Sequence, residues 1–189
     1  MGGNRKKMQS HLSMLFWGLI LVVLDFQVNG LDLLVDGLGY LIIAVGCGGL
    51  SPLSDRFSLA RTLSFVLTIL WLIGCFIHGY DGLLFGAMTT IVNCVLVWQM
   101  LGGIAECAIA NKRKDLAKNA ENRRLAYVVT MAIGILLSLN GVNNSAVGVF
   151  FLIAIVVVLI LILYLIQRVK HELFGRLDYT KDPSIWVKP

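Results

Sequence analysis

Four aspartates, Asp25, Asp32, Asp36 and Asp81, stand at the margins of apolar runs in a chain with only 11 acidic residues. Three of them share the stretch L-D-F-Q-V-N-G-L-D-L-L-V-D with Asn29. Carboxylate and amide oxygens are the ligands of hard cations. A rim of such groups without Lys or Arg would concentrate cations and, with Asn29 and water completing the shell, could hold a divalent ion of unspecified identity. Helix capping is the competing use. Asp32, Asp81 and Asn143 each follow a glycine and precede an apolar run, where a side-chain oxygen accepts hydrogen bonds from the free N–H groups of a starting helix. Asp36 lies one turn further on, in the favourable end of the helix dipole. Asp25 has neither use. It precedes the turn, where the dipole opposes a carboxylate, so it snorkels to the outer surface, is protonated and hydrogen-bonded to a neighbour, or belongs to a site.

A second set lies deeper. Gly86, Thr90 and Asn93 follow i, i+4, i+7 spacing, a polar stripe on one helix face. Gln99, Gly103 and Glu106 repeat that spacing on another line. In lipid, small and amide side chains first serve helix packing, and the alternative is the lining of a conduction path. Glu106 is expected to pair with a basic residue of the link that follows. Gly39, Gly46, Gly49, Gly134 and Ser138 read as close-packing surfaces.

Catalytic templates are missing. The chain has no G-x-S-x-G, H-E-x-x-H or P-loop pattern. Asp36-Gly37-Leu38-Gly39 reverses the order of the Gly-x-Gly-Asp motif of intramembrane aspartyl proteases. Cys47, Cys75, Cys94 and Cys107 show no C-x-x-C spacing and read as small buried hydrophobes. His11 and His171 are expected on one side of a membrane and His78 on the other, so no pair can sandwich a haem. No enzymatic activity and no cofactor are expected.

The elements that must position these residues follow from composition. Of the 189 residues 58% are hydrophobic and 14% charged, against roughly 25% charged in a soluble domain. The apolar runs exceed what one modest core could bury, so lipid must solvate them. They are continuous rather than alternating, which selects helices over barrel strands. Six spans are expected, at about 12–28, 33–50, 62–78, 82–108, 125–140 and 145–167; only the fourth and sixth comfortably reach the roughly 20 apolar residues of a crossing helix.

All 16 Lys and Arg residues fall before the first span, after the second, after the fourth or after the sixth. By the positive-inside rule this asymmetry places both termini in the cytoplasm and makes all six segments cross. The net charge of +5 is then an orientation signal and an attraction to anionic headgroups. Nucleic acid is not an expected partner. The basic link 109–124 reads as a solvated helix continuing from the fourth span, and 168–189 as a cytoplasmic tail. The sixth span, nearly free of polar atoms, is expected to be peripheral and lipid-facing, with no part in a site.

The three outer links share one pattern: Asn29-Gly30-Leu31-Asp32, His78-Gly79-Tyr80-Asp81 and Asn140-Gly141-Val142-Asn143. A glycine closes one helix in the left-handed conformation, and the Asp or Asn two residues later opens the next. Leu24 to Ile43 resembles a pattern of small, uncharacterised multi-pass membrane proteins of Gram-positive bacteria, in which an L-D-F segment leads into G-x-D-L-L-P-D and then G-Y. Val35 stands where that pattern has proline. The resemblance implies a bacterial cytoplasmic membrane and brings no activity with it.

The expected fold is therefore an all-α integral membrane protein, one transmembrane domain of three helical hairpins (about 12–50, 62–108 and 125–167). Its expected role is that of a small transporter or channel-like protein with an acidic, cation-attracting outer rim. The alternative is a non-catalytic scaffold or regulatory subunit that binds partner helices. A homo-oligomer or a partner membrane protein, besides the bilayer itself, would fit either.

Overall fold

A computed structural model of the chain describes residues 2–23, 35–76, 83–139 and 145–174. They form six helices: α1 (Gly2–Val23), α2 (Val35–Leu50), α3 (Asp55–Phe76), α4 (Leu83–Ala110), α5 (Lys114–Leu139) and α6 (Ser145–Leu173). A single 3-10 turn, Ser51–Leu53, joins α2 to α3, and the described residues contain no strand. Among the described residues four segments are long and apolar enough to cross a bilayer: Asp36–Leu53, Asp55–Gly74, Phe85–Ala110 and Val147–Leu173. α1 and α5 are long but begin with polar turns. Lys6, Lys7 and Gln9 dilute the first, and Lys114, Asp115, Lys118, Glu121, Arg123 and Arg124 the second.

Each helix packs on the next, and α6 returns to α1. Close approaches fix the register. Gly18 lies against Gly39 and Ile43, and Gly46 against His11 and Leu15, so α1 and α2 run antiparallel. Gly37 meets Trp71 while Gly48 meets Arg61; Gly74 meets Phe85 while Gly103 meets Phe57. Arg123 stands over Tyr164 and Gly134 against Phe151, which sets α5 against α6. The Gln9 amide donates to the Phe174 carbonyl (2.8 Å), which closes the ring at its basic end. The alternation gathers Lys6, Arg56, Arg61, Arg113 and Arg168 at one end of the bundle.

The core is lopsided. Leu19, Ile43, Leu67, Leu96, Tyr127 and Leu159, one from each helix, are buried at mid-level. On the basic side of them Leu15, Phe57, Met100, Leu101, Ile104, Leu116, Ile162 and Leu165 are almost wholly enclosed. On the far side no large apolar side chain among the described residues is fully buried; Gly37, Gly39 and Gly134 are, under Trp71, Val22 and Phe151, along with Thr68 next to the mid-level layer. Outward-facing residues are apolar: Phe150 is 75% exposed and Leu152 62%. A water-soluble bundle this small rarely presents so continuous an apolar exterior. In lipid it incurs no penalty.

Two turns show why the chain reverses where it does. Ser54 caps α3, its hydroxyl accepting from the Arg56 N–H (3.1 Å), with Pro52 in the 3-10 turn before it. α4 ends in a Schellman arrangement. The Arg113 N–H donates to the Ala108 carbonyl (2.8 Å) and the Lys112 N–H to that of Ile109 (2.9 Å). Lys112 holds the left-handed conformation, φ 58°. The basic link is thus not an extension of α4. The helix breaks at Asn111–Arg113, and 114–124 become the first three turns of α5.

Candidate functional site

Asn93 lies on α4 one turn beyond the mid-level layer, too far from the basic end to be covered by it. Its amide lines a half-open cavity of about 670 Å³ between α1, α4, α5 and α6. Leu19 and Val22 of α1, Val97 of α4, Tyr127 and Met131 of α5 and Phe151 of α6 line it as well. Tyr127 is buried and lies within electrostatic reach of Tyr40 on α2, which in turn lies within reach of Asp36 one helical turn away. The cavity therefore carries an amide and one phenol in mostly aliphatic surroundings. An apolar cavity with a few placed polar groups suits a small, largely apolar solute that makes one or two hydrogen bonds.

The residues expected to bind cations divide. Asp25, Asn29, Asp32 and Asp81 lie outside the described residues. Asp36 sits half-buried in the first turn of α2. Among the described residues no three His, Cys, Asp or Glu side chains are grouped to hold a metal ion. Thr90 and Asn93, expected on one stripe, separate in role. The Thr90 hydroxyl donates to its own helix at the Gly86 carbonyl (2.8 Å), whereas Asn93 reaches the cavity. Gly86 touches no neighbouring helix, so this stripe is not packing glue at its outer end.

The second stripe receives α3. A Cβ on Gly102 would stand 2.8 Å from Arg56 Cδ, and one on Gly103 2.9 Å from the Phe57 ring. Arg56 reaches Gln99 (3.4 Å) and pairs through Nε with Glu106, which also accepts from Ser54 (2.5 Å). Glu106 thus pairs backward, with the start of α3, and not with the link after α4. The reason is geometric. The link turns away at Lys112, while the paired glycines let the first turn of α3 lie directly on α4. A second charged group joins α5 to α6: Arg113 binds Asp115 (2.9 Å) and Glu172, and Arg168 binds Glu172 (2.6 Å). The Arg113 hydrogen bond holds the Asp115 carboxyl down at about 2.

α6 is peripheral along most of its length, as expected, but it also takes part in the cavity. Its outer half faces outward at Val149, Phe150 and Ile153 but supplies Gly148, Phe151, Ile155 and Leu159 to the cavity. Its other half sits in the core at Ile162, Leu165 and Ile166. An all-apolar run has no polar face to mark which side turns inward. Tyr127 was missed for a related reason: one phenol among valines gives no periodic signal. Of the cysteines, Cys47 and Cys107 are buried as expected, Cys94 is half-buried, and all three are free. The glycines expected to pack closely at 39, 46 and 49 do so against α1, and Gly134 does so against α6.

The chain matches no protein-family model, no curated protein and no solved structure.

Proposed function

We propose that this chain is a small, non-enzymatic membrane transport protein whose six helices all cross as three hairpins, both termini in the cytoplasm of a bacterial cell. It takes a small solute into the cavity at Asn93 and Tyr127 from the side opposite the basic end. One observation carries this reading: the bundle is sealed on the basic side by a close-packed core and hollow on the other. That shape is what an outward-facing, inward-closed carrier needs. The antiparallel register and the collection of basic residues at one end support six crossings and the cytoplasmic placement of that end. Asp25, Asn29, Asp32 and Asp81 belong in sequence to the links between helix ends on the hollow side, where they would draw cations or cationic solutes toward the cavity. The scaffold alternative asks for a small-residue groove open to lipid on α2 or α5. Gly39, Gly46 and Gly134 are instead covered from within the bundle, which favours transport.

Substituted-cysteine accessibility tests the hollow side. In a chain whose four cysteines are replaced by alanine, Asn93→Cys should react with a membrane-impermeant methanethiosulfonate from the extracellular face only, and Met100→Cys from neither face. Asn93→Cys unreactive from both faces would remove the cavity as an entry route. Thermal melts with Ca²⁺, Mg²⁺, Mn²⁺ and Na⁺, beside Asp25→Asn, test the rim. A bound ion at a hundredfold over its dissociation constant adds about 2.7 kcal/mol. Stabilisation lost in Asp25→Asn makes the rim a site, and no stabilisation leaves its aspartates as caps.

A further inference from the structure

A second concavity lies on the outside of the ring. Ile91, Val95 and Trp98 of α4 and Val128, Ala132 and Ile135 of α5 line an open groove of about 420 Å³, with Cys94 at its base. Its lining residues carry hydrocarbon, an indole and one thiol. The α5 positions 124, 128, 132 and 135 share one helix face, so the groove runs along the bundle and meets Arg124 at its basic end. The Arg124 guanidinium lies 3.3 Å from the centroid of the Trp98 ring and, among the described residues, forms no ion pair and keeps its Nε buried without a hydrogen-bond partner. The charges facing it are Arg56, Glu106 and Glu121. Arg56 and Glu106 satisfy each other, and Glu121 stands on the exposed first turns of α5. What remains is a cation without an ion-pair partner among the described residues, at the head of an apolar channel.

We infer that this α4–α5 groove binds an anionic phospholipid, one acyl chain lying between the two helices and the phosphate on Arg124. The chemistry is complementary at both ends. Trp98 is an amphipathic ring suited to the headgroup level, and Arg offers a planar fork of donors that fits phosphate oxygens. The long arginine stem lets the charge reach that level from within α5. A zwitterionic lipid would bring its own cation beside Arg124 and Arg56 and lose the preference. This site is separate from the solute cavity and does not depend on the transport reading. It requires that the inner headgroup level fall at Arg124, where the charged first turns of α5 give way to an apolar run.

Quenching of Trp98 fluorescence by brominated lipids provides the test, on the full chain in detergent–lipid micelles. The Trp98 signal is the difference between the wild type and Trp98→Phe. Dibrominated phosphatidylglycerol should quench it at about fivefold lower mole fraction than dibrominated phosphatidylcholine, the ratio for one guanidinium at a headgroup. Arg124→Gln should abolish the difference and Arg124→Lys retain part of it. Ala132→Phe, which fills the groove, should weaken quenching by both lipids. Equal quenching by the two lipids overturns the proposal, as does a preference unchanged in Arg124→Gln, since that would come from the general basic face. Spontaneous Cys94–Cys94 disulfide cross-linking between copies in liposomes would also overturn it, by showing that a second chain covers the groove.

Discussion

Replacing Gly18 by alanine should loosen the bundle at the α1–α2 contact. The added Cβ would stand 2.7 Å from Ile43 Cγ1, 2.9 Å from the Gly39 carbonyl oxygen and 3.1 Å from the Ile43 nitrogen. Two of those three atoms are backbone and cannot rotate away, so α1 must move off α2. Overpacking of this kind costs about 1–3 kcal/mol. Alanine returns about 1 kcal/mol of helix propensity. With rigid backbone atoms in the clash the cost falls in the upper half of that range, so the expected net loss is about 1–2 kcal/mol, or roughly 2–8 °C in Tm at about 2–4 °C per kcal/mol for a chain of this size. Circular dichroism at 222 nm on the purified protein in detergent reads it. Gly86→Ala is the internal control, because a Cβ there meets nothing within 4 Å. It gains propensity without a clash and should leave Tm unchanged or higher. If Gly18→Ala melts with the wild type, or Gly86→Ala falls equally, α1 does not approach α2 at this register and the ring is wrong at its first contact.

Three further outcomes follow from the turns and ion pairs. Lys112→Gly removes a left-handed non-glycine residue at the end of α4 and should stabilise by about 1 kcal/mol in the same melt, provided the Schellman turn is present. A double-mutant cycle of Arg56→Gln and Glu106→Gln should give a coupling of at most about 1 kcal/mol, because both partners are over a third exposed and solvent screens them. A coupling well above ~1 kcal/mol would mean that the pair is shielded from solvent. The Asp115 carboxyl is depressed from 3.8 to about 2, so its contribution is fully present above pH 3.8 and is lost as pH falls through about 2. Acid titration of unfolding should therefore show a smaller loss over that window in Asp115→Asn than in the wild type.

The gross architecture was written in composition and periodicity. Long apolar runs have only one stable form in lipid, and clumped arginines and lysines betray which helix ends lie together, so helices and their alternation needed no tertiary information. Glycine spacing likewise announced close contacts at 39, 46 and 134, because only a missing side chain lets backbones approach. Hydrogen-bonding residues such as Ser64 and Thr68 could sit in the core since each hydroxyl returns a bond to its own helix, at Ala60 (3.0 Å) and Ser64 (2.9 Å). Partners were another matter. Glu106 had basic residues available on both sides in sequence, and the choice of Arg56 came from Gly102 and Gly103 admitting the first turn of α3. The break at Lys112 carries no glycine to mark it; the antiparallel return of α5 onto α4 imposed it. Above all, the cavity is a property of α1, α4, α5 and α6, which close tightly at one end and part at the other. Asn93 was legible as a polar residue inside an apolar run. That it faces Tyr127 across open space depends on the rotation of α4, α5 and α6 about their own axes, which only their packing against one another decides.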